Sequence, residues 1–213
     1  MRTSSGIVTI LVLAGLVLAA CGGSSGAAWE TFDRTYASVA ARDGYMSETG
    51  FGLPEARTFV GDIDGLLAGD GIAAVYCFET GGISDGAVIE SAFLRVYQEE
   101  LEGAPYPSLG HVVVDHIQIG ASVDVDDYDG GTITSNIGTL STTPALEWKT
   151  ADVTAAVQND VSANRQYSEF RIRFTLDSNG NGDNDMMIAN DGEDSHGSGR
   201  IPQLVVRYRA PRL

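Results

Sequence analysis

Short segments in which apolar and polar residues alternate, separated by turn-forming residues, dominate this chain. In Phe170–Leu176 the apolar side chains fall on one side of an extended backbone, and Arg171 and Arg173 fall on the other. Gln203–Arg209 repeats the pattern with its own arginines. Because successive side chains of a strand point to opposite faces, segments of this kind must pair into sheets with one apolar face and one wet face.

Further segments rich in Val, Ile, Phe and Tyr are bounded by Gly, Asp, Asn or Pro and are predicted to be strands. The full set is Thr35–Arg42, Thr58–Asp62, Ile72–Glu79, Val88–Gln98, Val112–Gly120, Tyr167–Leu176, Met186–Ala189 and Gln203–Arg209. One short helix is predicted at Asp152–Val161, where valine recurs every fourth residue and Asp152 or Thr150 can cap the start. The pattern predicts an all-β fold: an antiparallel, jelly-roll-like β-sandwich with this helix laid across a sheet.

The N-terminus has the organisation of a secretory signal peptide. Arg2 supplies a positive charge, and the apolar run that follows is too short to span a membrane. The run ends in Leu18-Ala19-Ala20-Cys21, which resembles the lipobox of bacterial lipoproteins, where the cysteine is acylated and the chain is cut before it. The resemblance implies a signal peptide at 1–20 and a lipid on Cys21.

The segments after the lipobox set the predicted domain organisation. Residues 21–28 are a flexible tether of Gly, Ser and Ala, and 29–213 form a single domain. The protein is predicted to be exported and held on a bacterial membrane by its acyl chains. Since Gly22 rather than Asp follows the cysteine, the outer membrane or the cell surface is the expected location in a Gram-negative cell.

Net charge and cysteine count narrow the possible partners. The chain has a formal net charge of −16, and Lys149 is its only lysine. Such a charge repels nucleic acid and favours cations. With Cys21 acylated, Cys77 has no cysteine to pair with and is predicted to be a buried, unreactive thiol in an apolar strand.

One acidic segment has the spacing of a calcium loop. Oxygen-bearing side chains fall at alternate positions, namely Asp177, Asn179, Asn181, Asp183 and Asp185. Gly182 allows a sharp turn, but Ile188 stands where an EF-hand would have its closing Glu. Two interpretations stay open: a hairpin loop that binds calcium with help from acidic residues at 191–194, or a polar turn. A second acidic segment, 124–129, is predicted to be a solvated loop.

Four segments, taken in order along the chain, resemble the DNRLRE-type β-sandwich domain of bacterial and archaeal exported proteins. They are Ala40–Tyr45, Val75–Phe78 with Gly86–Tyr97, Trp148–Val157 and Pro202–Tyr208. The resemblance covers roughly 36–209, and the domain is related to carbohydrate-binding modules of polysaccharide-degrading enzymes. It implies a β-sandwich that binds polysaccharide.

Polysaccharide binding calls for exposed aromatic rings. Tyr106 and Tyr128 lie among Pro, Asp and Gly residues and are the candidate ligand-binding residues, with core packing as the other open interpretation, whereas Trp148 is predicted to pack in the core.

Catalysis has little support in the sequence. His111 and His116 are an odd number of residues apart and face opposite sides of a strand, and Ser195-His196 lies in a loop without a strained nucleophile turn. The predicted function is therefore non-catalytic binding of polysaccharide or another cell-surface component. A structural or adhesive surface module without a small ligand is the alternative, and a glycan-acting hydrolase is a third possibility.

Overall fold

The computed structural model describes residues 28–50, 52–53, 57–63, 70–194 and 197–212. The predicted signal peptide, the lipidation site Cys21 and the tether up to residue 27 lie outside the described residues, as do Ser195 and His196. Within the described ranges, no helix is long and apolar enough to cross a bilayer.

The described residues form an all-β fold, as predicted, with two short helices. The strands are β1 (Trp29–Ala37), β2 (Gly44–Ser47), β3 (Gly52–Leu53), β4 (Arg57–Ile63), β5 (Asp70–Glu79), β6 (Val88–Glu102), β7 (Val112–Ile117), β8 (Thr132–Ser141), β9 (Trp148–Asp152), β10 (Tyr167–Phe174), β11 (Asp185–Asn190) and β12 (Gln203–Pro211). The helices are α1 (Pro105–Leu109) and α2 (Thr154–Ser162), and short 3-10 turns lie at Ala40–Arg42 and Val125–Asp127.

All strand pairs are antiparallel, and the strands follow one another in the order β1-β12-β6-β11-β4-β5-β10-β7-β8. The long strand β6 belongs to both layers of the fold. Its first part pairs with β12 and β9, and its last part pairs with β11. We call β1, β12, β6 and β9 the first sheet, and β11, β4, β5, β10, β7 and β8, with β2 on β5, the second sheet.

The two sheets enclose one core. Leu94 and Val206 of the first sheet and Tyr76 and Phe170 of the second are all buried in it. Each large apolar side chain removed from water in this way stabilises the fold by about 1.5–3 kcal/mol. Helix α2 packs on β6 and β10, with Val157 buried in the same core, as the four-residue valine spacing predicted.

Strands β5, β10 and β7 of the second sheet are covered on both faces, which corrects the prediction of a wet face on β10. Arg171 is only 4% exposed and donates hydrogen bonds to Asp115 and to the carbonyl oxygens of Asp127 and Tyr128. The segment between β7 and β8 folds over the outside of the sheet and buries this arginine. On β12, where nothing covers the outer face, Arg207 is exposed as predicted.

Several elements differ from the sequence prediction. β1 starts at Trp29 and stops at Ala37, because a 3-10 turn follows it. β2, β3, β8 and β9 were not predicted: β8 is rich in Thr, Ser and Gly, and β9 leads directly into α2. Helix α1 was also missed, although a proline suits a first helical turn.

Candidate functional site

Neither predicted ligand-binding tyrosine has the exposed ring that sugar stacking requires. Tyr106 and Tyr128 are 9% and 8% exposed. The Tyr106 hydroxyl donates to Gln98 Oε1 at 2.5 Å and lies 2.7 Å from Ser141 Oγ, and its ring packs edge to face against another ring of the core. The predicted exposure is wrong because α1 turns Tyr106 inward and because Tyr128 belongs to the segment that covers the second sheet.

The predicted calcium loop connects β10 to β11, but it is not a hairpin, which corrects that part of the prediction. β10 lies between β5 and β7, whereas β11 lies between β4 and β6, so the two strands are not neighbours. Within the loop, Asn179 Oδ1 accepts the Asn181 amide at 2.8 Å, and Asn181 Oδ1 accepts the Asp183 amide at 2.7 Å. These oxygens therefore already take part in local turns of the kind that Asn side chains favour.

The carboxylates of the same loop do not converge. Asp177 and Asp183 are exposed, whereas Asp185 is buried and accepts hydrogen bonds from the Ala104 amide and from Asn179 Nδ2. In the part of the chain that the structure describes, no group of three or more His, Cys, Asp or Glu residues is arranged to hold a metal ion. Calcium binding by this loop stays a prediction from residue spacing.

The other acidic segment is more ordered than a solvated loop. Asp124 Oδ1 accepts the Asp126 amide at 2.9 Å, and Asp127 Oδ2 accepts the Asp124 amide at 2.9 Å. Asp127 is buried, because this turn lies over the second sheet. Asp124 and Asp127 cap a 3-10 turn, and Asp124, Asp126 and Asp129 are exposed to solvent, as predicted.

Partly exposed aromatic rings lie on the outer face of the first sheet. Tyr97 of β6 is paired directly with Trp148 of β9, and their ring centroids are 5.5 Å apart with an interplanar angle of 83°. Phe93 lies on the same face of β6 and is 38% exposed. Trp148 is therefore not a core residue, contrary to the prediction, because its strand belongs to the sheet whose outer face is uncovered.

Two guanidinium groups lie on these rings. Arg95 Cζ is 4.7 Å from the centroid of the Trp148 ring, and Arg200 Cζ is 3.9 Å from that of Tyr97. Arg95 donates to Gln203 Oε1 at 3.1 Å and makes no ion pair with any described residue. Stacking of this kind orders a guanidinium while leaving N–H donors at its edge. We call this surface, formed by Phe93, Arg95, Tyr97, Trp148 and Arg200, the aromatic face.

A pocket with a volume of about 760 Å³ opens beside α2. It lies where β8 runs alongside β9 without pairing to it. It is lined by Ile89, His116, Thr134, Ile137, Asp152, Val153, Thr154, Ala155, Ala156, Gln158 and Asn159. We call it the α2 pocket.

A buried polar cluster forms one wall of the α2 pocket. His116 Nε2 lies 2.8 Å from Asp160 Oδ1, and Arg165 donates to the same oxygen at 2.8 Å. Asp160 Oδ2 is buried and has no hydrogen-bond partner among the described residues. No Ser or Thr hydroxyl within the described ranges is hydrogen-bonded to His116, so this is not a nucleophile–base pair.

Sequence reasoning missed the pairing of His116 with Asp160. The two residues are 44 positions apart, on a strand and on a helix, and no local spacing signals their contact. Asp115, the neighbour of His116 in sequence, points to the other face of β7, because successive side chains of a strand alternate, and its carboxylate binds Arg171 and Arg173 there.

Cys77 is buried and unpaired, as predicted. Burial, together with the neighbouring Glu169 carboxylate, raises the pKa of its thiol, against the opposing effect of Arg42. The thiolate form needed for reaction is therefore disfavoured.

Compared with known proteins, the chain matches no protein-family model and none of the curated proteins.

Proposed function

We propose that this protein binds polysaccharide without catalysis, through the aromatic face, and that it is an exported lipoprotein held on a bacterial membrane by a lipid on Cys21. The observation that supports the binding function best is the cross-strand pair of Tyr97 and Trp148, which lies on an uncovered sheet face. Aromatic residues that are neither in the core nor covered by other elements are characteristic of binding surfaces.

The aromatic face offers both kinds of contact that a sugar ring uses. A sugar has apolar C–H faces and hydroxyl edges, so it can lie against an aromatic ring and exchange hydrogen bonds around it. Phe93, Tyr97 and Trp148 supply the apolar surface. Arg95 and Gln203, which are hydrogen-bonded to each other, supply donors and acceptors beside it.

Charge favours a neutral polysaccharide. The chain carries a formal net charge of −16, which repels polyanions at long range, and Arg207 of the same sheet is paired with Asp33 and Glu90. Arg95 has no acidic partner among the described residues, so it serves as a local hydrogen-bond donor within an acidic molecule. Binding should accordingly change little with salt concentration.

The test is a pull-down of the full chain on insoluble cellulose, chitin, xylan and mannan. Trp148→Ala should weaken retention about tenfold or more, since a partly exposed tryptophan at the centre of a binding surface commonly contributes about 2 kcal/mol. Leu176→Ala is the matched control, because Leu176 is 48% exposed but lies after β10, off the aromatic face. Equal retention of the wild type and Trp148→Ala on every polysaccharide would exclude the aromatic face as the site.

One observation favours a structural or adhesive module as a second candidate. β1 pairs only with β12, so its other edge has no strand partner among the described residues. Free edges of this kind can take up a further strand. Thr31→Pro on this edge would block such pairing. If the protein is adhesive through this edge, the Thr31→Pro variant should lose the self-association that sedimentation detects. Its retention on polysaccharide should be unchanged.

A further inference from the structure

The aromatic face leads directly into the α2 pocket. Phe93 is the cross-strand partner of Asp152, and both side chains are exposed on the outer face of the first sheet. Asp152 also lines the pocket. Its carboxylate accepts hydrogen bonds from the backbone amide of Thr154 at 2.9 Å and from the Thr154 hydroxyl at 2.6 Å, which fixes it at the start of α2. The two surfaces therefore adjoin at a rigid position.

The lining of the α2 pocket combines an apolar wall with polar groups. Ile89, Val153 and Ala156 are buried and face the pocket, and Ile137 adds to them from β8. Polar side chains from α2 and β8 surround this wall. Pockets of a few hundred Å³ with this division bind small molecules that have an apolar body and hydrogen-bonding substituents.

His116 supplies a fixed hydrogen-bonding group in this pocket. Its Nε2 lies 2.8 Å from Asp160 Oδ1, and this contact orients the ring. The imidazole ring lies 6.0 Å from the Phe170 ring, which limits its rotation. No other side-chain hydrogen bond of His116 exists among the described residues, so Nδ1 is available for a hydrogen bond with a ligand hydroxyl.

Charge limits the ligand that this pocket accepts. Among the described residues that line the pocket, Asp152 is the one acidic side chain and none is Lys or Arg, because Arg165 is directed at Asp160. An anionic ligand would meet the Asp152 carboxylate without a free cation to balance it. A neutral hydroxylated ring meets no such cost.

From this geometry we propose that the α2 pocket is a subsite that takes one neutral, hydroxylated sugar unit, with a hydroxyl of that unit donating to His116 Nδ1. The inference rests on the proposed polysaccharide binding, because the same chain would run from the aromatic face past Phe93 and Asp152 into the pocket. It adds a second site, with its own lining, to the one on the sheet face.

The experiment measures binding of the full chain to cellotetraose, chitotetraose, xylotetraose and mannotetraose by calorimetry. Thr134→Trp places a large ring at the pocket mouth, since Thr134 is exposed on β8 and lines the pocket. Thr139→Trp is the matched control on the same strand, because Thr139 is exposed and outside the lining. For the tetrasaccharide that the wild type binds most tightly, Thr134→Trp should lower the affinity about tenfold, which is about 1.4 kcal/mol. Thr139→Trp should leave this affinity unchanged.

His116→Phe gives a second measurement, because it retains a ring against Phe170 but removes Nδ1. His116→Phe should lower the affinity for the same tetrasaccharide by a similar factor. Circular dichroism checks that the variant is folded. Affinities that are equal in the wild type and in Thr134→Trp would overturn the subsite, and so would the absence of any tetrasaccharide binding or stronger binding of tetragalacturonate. If Trp148→Ala still reduces retention on insoluble polysaccharide in those cases, only the subsite fails and the aromatic face stands.

Discussion

Two buried carboxyl groups, those of Asp115 and Asp43, have pKa shifts of opposite direction. Burial opposes ionisation of Asp115, but the Asn136 amide and the guanidinium groups of Arg173 and Arg171 outweigh it and lower the pKa of this carboxyl. Arg171 Nη2 lies 2.9 Å and Arg173 Nε 3.0 Å from the same carboxylate oxygen. Asp115 therefore stabilises the folded state when ionised and loses that contribution as the pH falls through its folded pKa.

Asp43 behaves in the opposite way. Burial raises the pKa of Asp43 to about 7, with the Asp191 carboxylate adding to the rise and amide hydrogen bonds from Cys77 and Gly192 opposing it. The folded state therefore holds a proton that the unfolded chain, with the ordinary Asp pKa of 3.8, releases. Stability should be highest below the unfolded value, fall as the pH rises to about 7, and level off above it.

Asp43→Asn tests this pH dependence. Because asparagine cannot ionise, the variant should lack the decline in the free energy of unfolding between pH 4 and pH 7. In the wild type this decline is at most about 1.4 kcal/mol per pH unit. Urea unfolding at several pH values measures it. Asp183→Asn, an exposed position, is the control and should keep the wild-type slope. If the free energy of unfolding of Asp43→Asn falls as steeply with pH as that of the wild type, other groups cause the decline.

At the scale of elements, β6 and α2 place the proposed binding surfaces. The first part of β6 pairs with β9 and so sets Tyr97 opposite Trp148, while its last part pairs with β11 in the other layer. Helix α2 places Asp160 within hydrogen-bond distance of His116 on β7. Both contacts depend on β9 leading into α2 without an intervening loop, since β9 ends at Asp152 and α2 begins at Thr154.

The loop between β10 and β11 carries the calcium prediction. If it binds calcium, the ion should raise the melting temperature by mass action, and a chelator should lower it again. Asp177→Ala/Asp183→Ala removes two exposed carboxylates of the loop and should abolish the calcium-dependent shift. A melting temperature that is the same with and without millimolar calcium would leave the loop as a series of Asn-stabilised turns.

At the scale of the whole molecule, the two ends of the described chain meet at one edge of the first sheet. The Arg212 amide donates to the carbonyl oxygen of Ala28 at 2.7 Å, and β1 pairs with β12 along its length. The proposed anchor at Cys21 lies seven residues before Ala28 in the sequence. Such an arrangement would hold the edge strand β1 close to the membrane and leave the rest of the acidic surface towards solvent.

Cys21→Ser tests the anchor. Without the thiol no acyl chain can be attached at this position, so the protein should leave the membrane fraction or remain there with an uncleaved signal peptide. Fractionation and metabolic labelling with palmitate measure both outcomes, and Cys77→Ser is the control, since Cys77 is buried in β5. Normal processing with retained label in Cys21→Ser would disprove lipidation at Cys21.

The sequence by itself determined the all-β class, the position of α2 and the burial of Cys77. These features depend on local periodicity, which is set by the period of two in a strand and of 3.6 in a helix. The position of α2, for example, follows from the four-residue spacing of its valines. The weakly apolar strand β8 and the short β9 lack a clear period, so the sequence did not reveal them.

Only the tertiary structure decided which faces are covered and which distant residues meet. Arg171 and Arg207 sit in the same kind of alternating strand, yet one is buried and the other exposed, because a loop covers only the second sheet. The same difference buries Tyr128 and leaves Trp148 on the surface. His116 and Asp160 meet because α2 packs on β6 and on β10, the neighbour of β7. Burial and pairing are set by the layer that packs against a residue, and local sequence does not specify that layer.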